Sequence, residues 1–467
     1  MGGFFGVVSK QDCVNDLFYG TDYHSHLGTR RGGMAVRNTE GFSRAIHNIE
    51  NNYFRSKFEP DLPKFHGNLG IGVISDNDPQ PLIVGSHLGT FAIVTVGKIY
   101  NLAELETRAL KKRLHFSEST DGETNPTELV STLICEADSF EQGIENAQEI
   151  VKGSCSILVL THRGIYAARD RLGRTPIVIG KKPEGFAAAS ESSAFPNLGY
   201  ETEKFLGPGE IVFLSPDGCR QMKKPGDKMQ ICAFLWVYYG YPASEYEGIN
   251  VEYTRNRCGE ALADNDDVEI DCVAGIPDSG IGHAIGYAYR KSIPYVRPFV
   301  KYTPTWPRSF MPQRQDLRDL VAKMKLIPIR KMIQGKRIMF CEDSIVRGTQ
   351  LKDNVQILFD VGAREVHMRP ACPTLLYPCE FLNFSTSRST LALAGRKVIN
   401  DIENGRDTDI GEYAAAGTEK NQRMVEAIRE QLKLTTLKYQ MLENLVSAIG
   451  LPKERICTHC WDGTSYF

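Results

Sequence analysis

A chain of 467 residues with 42% apolar content can bury two or three separate cores, and its formal net charge of -2 leaves no global basic field that would attract nucleic acid. No apolar run reaches the roughly 18 residues of a membrane-spanning helix, and the start lacks a basic segment followed by a long apolar one. The expectation is a globular protein with a cytoplasmic address and neither nucleic acid nor membrane as partner. The Met-Gly start lacks the Ser or Thr that a myristoylation signal needs, since Gly6 stands there.

From the front, the strand-like opening MGGFFGVV is followed by LGIGVI, PLIVG, FAIVTVG, SCSILVLT, GIYAARD, PIVIG, FAAAS and GEIVFLSPDG. Short β-branched runs punctuated by Gly, Pro and Asp predict a mainly antiparallel sheet arrangement. Residues 126–150, with Leu129, Leu133, Phe140 and Ile144 among charged residues, predict intervening helices. Residues 1–225 therefore read as one α+β domain.

The pattern changes after KKPGDK at 223–228. Strand candidates 269–275, 293–300, 336–343 and 364–370 alternate with helical stretches 281–291, 313–325 and 350–361, which predicts an α/β domain over 226–408 with a parallel sheet and crossover helices. Residues 409–467 read as a mostly helical segment ending in a Cys-bearing tail. There is no internal repeat and no low-complexity tract.

Twelve Cys are too few for a disulfide-stapled scaffold. Cys13, Cys135, Cys155, Cys219, Cys258, Cys272, Cys341 and Cys372 stand mostly among apolar neighbours and read as small buried hydrophobes. The pair Cys457 and Cys460 in CTHC is different: a C-x2-C suits metal or redox chemistry, with two incidental tail thiols as the plainer alternative.

The most specific stretch is KRIMFCEDSIVRGTQLKDNVQILFDVGA, in which an apolar strand ends in Glu342 and Asp343, a short loop follows, and a helix begins. Loop amides and a helix N-terminus hold a sugar 5'-phosphate, and two adjacent carboxylates accept hydrogen bonds from ribose hydroxyls. A strand-turn-helix with a solvated acidic turn is the alternative from the local pattern alone.

EDSIVRGT resembles the DDSIVRGT motif of type I phosphoribosyltransferases, and among them of the glutamine phosphoribosylpyrophosphate amidotransferase family, with Glu342 in place of the first Asp. GIPDSGIGHAIGYA at 275–288 is similar to the family's VPDSG segment, and Lys325 and Arg330 fit its KL...R stretch. ARDRLGRTPIVIG, AAASESSAF and GPGEIVFLSPDG resemble its glutaminase domain, so the likeness spans essentially the whole chain. It implies an N-terminal-nucleophile (Ntn) hydrolase-type domain followed by a phosphoribosyltransferase domain. It further implies a phosphoribosylpyrophosphate site at Glu342, Asp343, Ser344, Ile345, Val346, Arg347, Gly348 and Thr349, reached by Lys301, Arg308 and Lys325, with Mg2+ on Ser279, Glu342 and Asp343 and with Asp278 nearby. One branch of the family carries a 4Fe–4S cluster on four Cys, whose counterparts here are Cys232, Cys379, Cys457 and Cys460, with His459 as a spacer. Zn on the same four thiolates is the alternative.

The same resemblance exposes losses. The family's nucleophilic Cys falls on Gly2, its HRGQ on His26 to Thr29, its glutamine-gripping Arg on Gly70, its HNGN on Thr95, Val96, Gly97 and Lys98, and its amine-holding Asp on Pro126. Cys13 cannot substitute, having no free α-amine beside it. The sugar lid becomes KYTPTWPRSFM (301–311), one residue longer and stiffened by Pro304 and Pro307 around Trp306. The expected activity is transfer of an amino group, from ammonia or a small amine, to C1 of phosphoribosylpyrophosphate, with nucleotides as effectors and a homo-oligomeric assembly, neither of which the sequence specifies. A non-catalytic nucleotide-binding regulatory subunit, and a transferase fed by a separate glutaminase, are the rival readings.

Overall fold

The computed structural model describes residues 2–76, 78–117, 119–120, 122–301, 326–382 and 390–466. The opening run folds as the strand Gly3–Ser9, buried at every position. Its alternate side chains serve two cores: Phe4 and Val8 enter one apolar cluster, while Phe5 and Val7 join another that includes Val14, Leu17 and Phe18 of the helix Val14–Asp22. A strand covered on both faces has no polar face to show, which is why the run reads as continuously apolar.

That strand is central in a seven-stranded sheet with the order Glu201–Phe205, Val178–Lys182, Gly185–Ala189, Gly3–Ser9, Leu69–Ser75, Arg31–Arg37, Phe42–Asn48. A six-stranded sheet packs against it, ordered Gly218–Lys223, Ile211–Ser215, Ile165–Ala168, Gly153–Leu160, Gly89–Ile99, Leu82–Ser86. Phe4, Ile71, Val94, Val96, Leu158 and Leu214 fill the space between the two sheets. Helices Pro126–Ile134 and Phe140–Ile150, capped by the side chains of Asn125 and Ser139, cover the outer face of the second sheet. Arg31–Arg37 and Phe42–Asn48 carry no clear strand signal in the sequence: the first opens Arg-Gly-Gly and the second is a partly exposed edge.

The second half is built on a four-stranded parallel sheet, ordered Cys272–Gly275, Arg337–Glu342, Glu365–Pro370, Thr436–Leu437. Helices Val251–Asp264 and Ile281–Lys291 pack together beside it, and Thr349–Val361 follows the second strand. Two expectations need correction. The stretch 293–300 is not one sheet strand: Tyr295 makes a single parallel bridge to Val273, while Phe299–Lys301 pairs antiparallel with Leu326–Pro328 in a separate ribbon. The segment after residue 409 holds the helices Ile410–Ala414, Glu419–Gln431 and Leu442–Ile449, but Thr436–Leu437 returns to the sheet as its edge strand, too short to leave a period-two signal. The expected helix at 313–325 lies outside the described residues. Among the described residues no helix is long and apolar enough to cross a membrane.

Candidate active site and cysteine centre

The strand Arg337–Glu342 is buried through Ile338, Met339, Phe340 and Cys341, so the chain emerges at the carboxyl edge of the parallel sheet with Glu342 and Asp343 side by side. The neighbouring strand Cys272–Gly275 ends at the same edge and turns through Ile276–Gly280 into the helix Ile281–Lys291. The turn lies tight on the strand: Ile276 N donates to Cys341 O at 3.0 Å, and a Cβ on Gly280 would stand 2.3 Å from that oxygen. This close approach delivers Ser279, whose Oγ donates to Asp343 Oδ1 at 2.5 Å and lies 3.5 Å from Glu342 Oε1. Ser344 Oγ donates to Asp343 Oδ2 at 2.6 Å.

Burial first, and then the neighbouring charge of Asp343, push the Glu342 carboxyl well above the usual carboxylate range. Two carboxylates and a hydroxyl on one edge are hard oxygen donors of the kind Mg2+ accepts, and a divalent cation relieves the like-charge pairing. The loop then runs to Gly348, whose φ of +74° places it in the left-handed region that glycine enters freely, and the helix Thr349–Val361 starts there. Ile345 is buried in the adjacent core and Val346 O accepts from Ala394 N at 2.8 Å, so the loop is anchored while Arg347 is exposed. Lys301 Nζ pairs with Asp278 Oδ2 at 2.6 Å, so the strand Phe299–Lys301 reaches the 276–280 turn. Arg330 is exposed at the start of a short helix; Lys325, and the lid after Lys301 with its Arg308, lie outside the described residues.

The four expected Cys converge. Short strands Ile231–Cys232 and Ile456–Cys457 pair in parallel with Cys232 opposite Cys457. Leu376 N and Tyr377 N donate to Cys460 O, which draws in the segment bearing Cys379. All four line one cavity whose other described walls are Phe234, Phe381, Leu382, Trp461 and Arg174. Burial drives the Cys232 thiol well above its ordinary value, and the Cys460 thiol is raised by its hydrogen bond with Cys379 and by burial. His459 packs between the rings of Tyr377 and Phe381 as a spacer. Among the described residues no group of three or more Cys, His, Asp or Glu is set to clasp a metal ion as it stands. Four thiols around one cavity with aromatic walls nevertheless match the donor set of a thiolate-held centre.

Around Gly2 the arrangement differs. A Cβ there would stand 2.6 Å from Ile74 O. The register sets Gly3 against Ile74 and Val7 against Gly70, so Gly70 lies four pairs further along the strand and is not beside Gly2; a Cβ on it would meet Leu17 at 2.6 Å. Thr29 donates from N and Oγ1 to Asp76 Oδ1 at 2.6 and 3.2 Å. The structure does bring the Thr95 and Pro126 segments together, through a buried network: Thr95 Oγ1 meets Thr127 Oγ1 at 2.7 Å and Thr127 Oγ1 donates to Asp78 Oδ2 at 2.6 Å. Gln80 Oε1 accepts from Thr95 N and Gln80 Nε2 donates to Thr95 O. Asp78 and Gln80 were not singled out in the sequence, because nothing local distinguishes them from turn residues.

The halves meet at Glu191, buried in the ASESSAF segment. It accepts from Tyr246 Oη at 2.5 Å and Ser244 Oγ at 3.1 Å, both from the second half, and pairs with His26 Nε2 at 3.0 Å. Burial opposes its charge, but His26, His24 and Tyr246 hold its carboxyl down to about 2.

A double-sheet sandwich joined to a parallel sheet that carries an acidic pair and a glycine-ended loop at its carboxyl edge is the architecture of a fused amidotransferase-type and phosphoribosyltransferase-type protein. Comparison with known proteins agrees on both parts. A family model described as a glutamine amidotransferase domain matches residues 66–197. The amidophosphoribosyltransferase of Methanothermobacter thermautotrophicus is 30% identical over 99% of this chain and 93% of its own, and that of Bacillus subtilis is 28% identical over 96% and 89%. The solved structure of the B. subtilis glutamine phosphoribosylpyrophosphate amidotransferase, complexed with ADP and GMP, superposes with a TM-score of 0.84 at 26% identity, covering 99% of this chain and 97% of that one. The chain belongs to the amidophosphoribosyltransferase family.

Proposed function

We propose that this protein joins ammonia to C1 of phosphoribosylpyrophosphate with release of pyrophosphate, giving 5-phosphoribosylamine for purine biosynthesis. The observation that carries this is the convergence of Ser279, Glu342 and Asp343 with the Ser344–Gly348 loop at one sheet edge. Main-chain N–H groups of the loop and the start of the helix Thr349–Val361 hold the 5'-phosphate. Glu342 and Asp343 orient the ribose hydroxyls, and Lys301 faces the pyrophosphate from the neighbouring ribbon. The nitrogen lone pair forms the C–N bond as the C1–O bond breaks with its electron pair kept by pyrophosphate, and the surplus proton passes to water. Ser279, Glu342 and Asp343 are the residues that would hold Mg2+, which when bound neutralises charge on the departing pyrophosphate. No protein nucleophile is needed; positioning and charge do the work.

The glutamine-hydrolysing half is read as a retained scaffold. Gly2 supplies no nucleophile, and the Thr95 and Thr127 segments are tied to one another by Asp78 and Gln80. Cys232, Cys379, Cys457 and Cys460 are assigned to a 4Fe–4S cluster, which would crosslink the tail to the second half and contribute folding free energy. Pyrophosphate release by the purified protein, measured with ammonia, with glutamine and with neither, tests the reading. Release with ammonia alone supports it; equal release in all three conditions removes it.

A further inference from the structure

We propose that Arg174, from the N-terminal half, is the charge-balancing and positioning residue of the four-cysteine centre and sets both how firmly that centre is held and the potential at which it is reduced. The inference rests on the cysteine assignment above.

Arg174 is fully buried, and a guanidinium in such a place has to be matched by negative charge or strong acceptors. It meets the four ligand residues at one wall of their cavity. Its carbonyl accepts from Cys232 N at 3.5 Å, and its side chain lines the same cavity as Cys457. The fork is locked by neutral oxygens, Gly153 O at 3.3 Å and Gln230 Oε1 at 2.6 Å, and its plane sits 3.7 Å from the ring centroid of Phe381, itself part of the cavity wall. Among the described lining residues it is the charged one. One ligand residue is also reached by another cation of the same half: Lys98 Nζ donates to Cys379 O at 3.5 Å.

A centre held by four thiolates carries net negative charge, and reduction adds more. In an apolar cavity, where charges interact more strongly than in water, an adjacent fixed cation stabilises the bound anionic centre and favours its reduced state. Arg174 is suited to this because it cannot deprotonate and because its fork fixes direction as well as charge. The N-terminal half thus keeps a role at the cysteine centre that does not depend on glutamine.

The test uses the full chain, purified anaerobically and reconstituted with ferrous iron and sulfide, in four forms: unsubstituted, Arg174→Lys, Arg174→Met and Lys98→Met. Iron and sulfide content, the midpoint potential from a spectroscopic titration, and the rate of bleaching by a chelator are read for each. Arg174→Met is expected to have a more negative midpoint and to bleach on the order of tenfold faster, as loss of an outer-sphere partner does. Arg174→Lys should restore most of the potential but not the slow bleaching, which separates charge from packing. If Arg174→Met does not fold, Lys98→Met, whose side chain is only half-buried, must still show a smaller shift in the same direction. Unsubstituted potential and bleaching in whichever of these two variants folds overturn the inference while leaving the cysteine centre in place. An unsubstituted protein that takes up neither iron–sulfur nor zinc overturns the cysteine assignment, and the inference with it. If zinc alone binds, Arg174→Met must lose it faster to the chelator, and an unchanged rate overturns the inference.

Discussion

At the carboxyl edge of the parallel sheet, Glu342 and Asp343 are set beside each other with hydroxyl donors from Ser279 and Ser344, and the Glu342 carboxyl is forced up by burial and like charge. In the N-terminal half, the polar groups around Thr95 and Pro126 answer one another, Asp78 to Thr127, Thr127 to Thr95 and Thr95 to Gln80, and Asp76 pairs with Thr29 nearer the surface; burial raises the Asp78 carboxyl too, but hydrogen bonds from Thr127 oppose it. On the function proposed above, this contrast is the one between a site and a scaffold. Chemistry needs charge that the protein alone leaves in conflict, so that substrate or cation resolves it; a network that closes on itself has nothing left to offer a ligand.

The strongest way to break this comparison is at the acidic pair. Asp343→Asn keeps the shape but removes the charge, and ammonia-dependent turnover should fall about a hundredfold, as loss of a single well-placed electrostatic contact does. Pyrophosphate release measures it, and unchanged turnover would place the chemistry elsewhere.

The seam between the halves is expected to be the next most sensitive place. Glu191→Gln should cost about 3 kcal/mol at neutral pH, because it leaves His26 and Tyr246 facing a neutral group in a buried position. Acid should loosen the same seam. Burial lowers the His24 imidazole from 6.5 to about 4, so the unfolded chain takes up its proton first and stability falls as pH drops from 6.5 towards 4. Glu191, depressed from 4.5 to about 2, contributes stability above 4.5 that is lost as pH falls towards 2. Thermal unfolding followed from pH 7 to 3 should show both limbs in the unsubstituted protein, and Glu191→Gln should lose the lower one.

Smaller effects sharpen the scaffold side. Thr127→Val removes the donor to buried Asp78 and should cost about 1–3 kcal/mol in chemical denaturation, with ammonia-dependent turnover unaltered. Gly2→Cys should yield no glutamate from glutamine, since the new Cβ meets Ile74 O and the polar network is unchanged. Glutamate formation by that variant would show that the pocket still binds glutamine.

The strand, two carboxylates, loop and helix proposed as the phosphate site were legible in the sequence because they lie within one stretch, and the fold leaves them together. The four Cys were legible only through family resemblance, since Cys232 and Cys379 lie far from CTHC and meet it only when Ile231–Cys232 pairs with Ile456–Cys457. Arg174 gave no signal at all. It is one basic residue in ARDRLGRTP, and its place beside Phe381 and the Cys457 cavity depends on segments more than 200 residues apart in the chain. The edge strand Thr436–Leu437 was hidden because two residues carry no period.

The central claim is that the nitrogen reaches the sugar as free ammonia past a half that no longer hydrolyses glutamine. Supplying the purified protein with phosphoribosylpyrophosphate, Mg2+, heavy-isotope ammonium and unlabelled glutamine together, and weighing the 5-phosphoribosylamine trapped as a stable derivative, tests it directly. The account predicts that the product carries the heavy nitrogen and that no glutamate accumulates. Product carrying the light nitrogen, with glutamate formed in step, would contradict it.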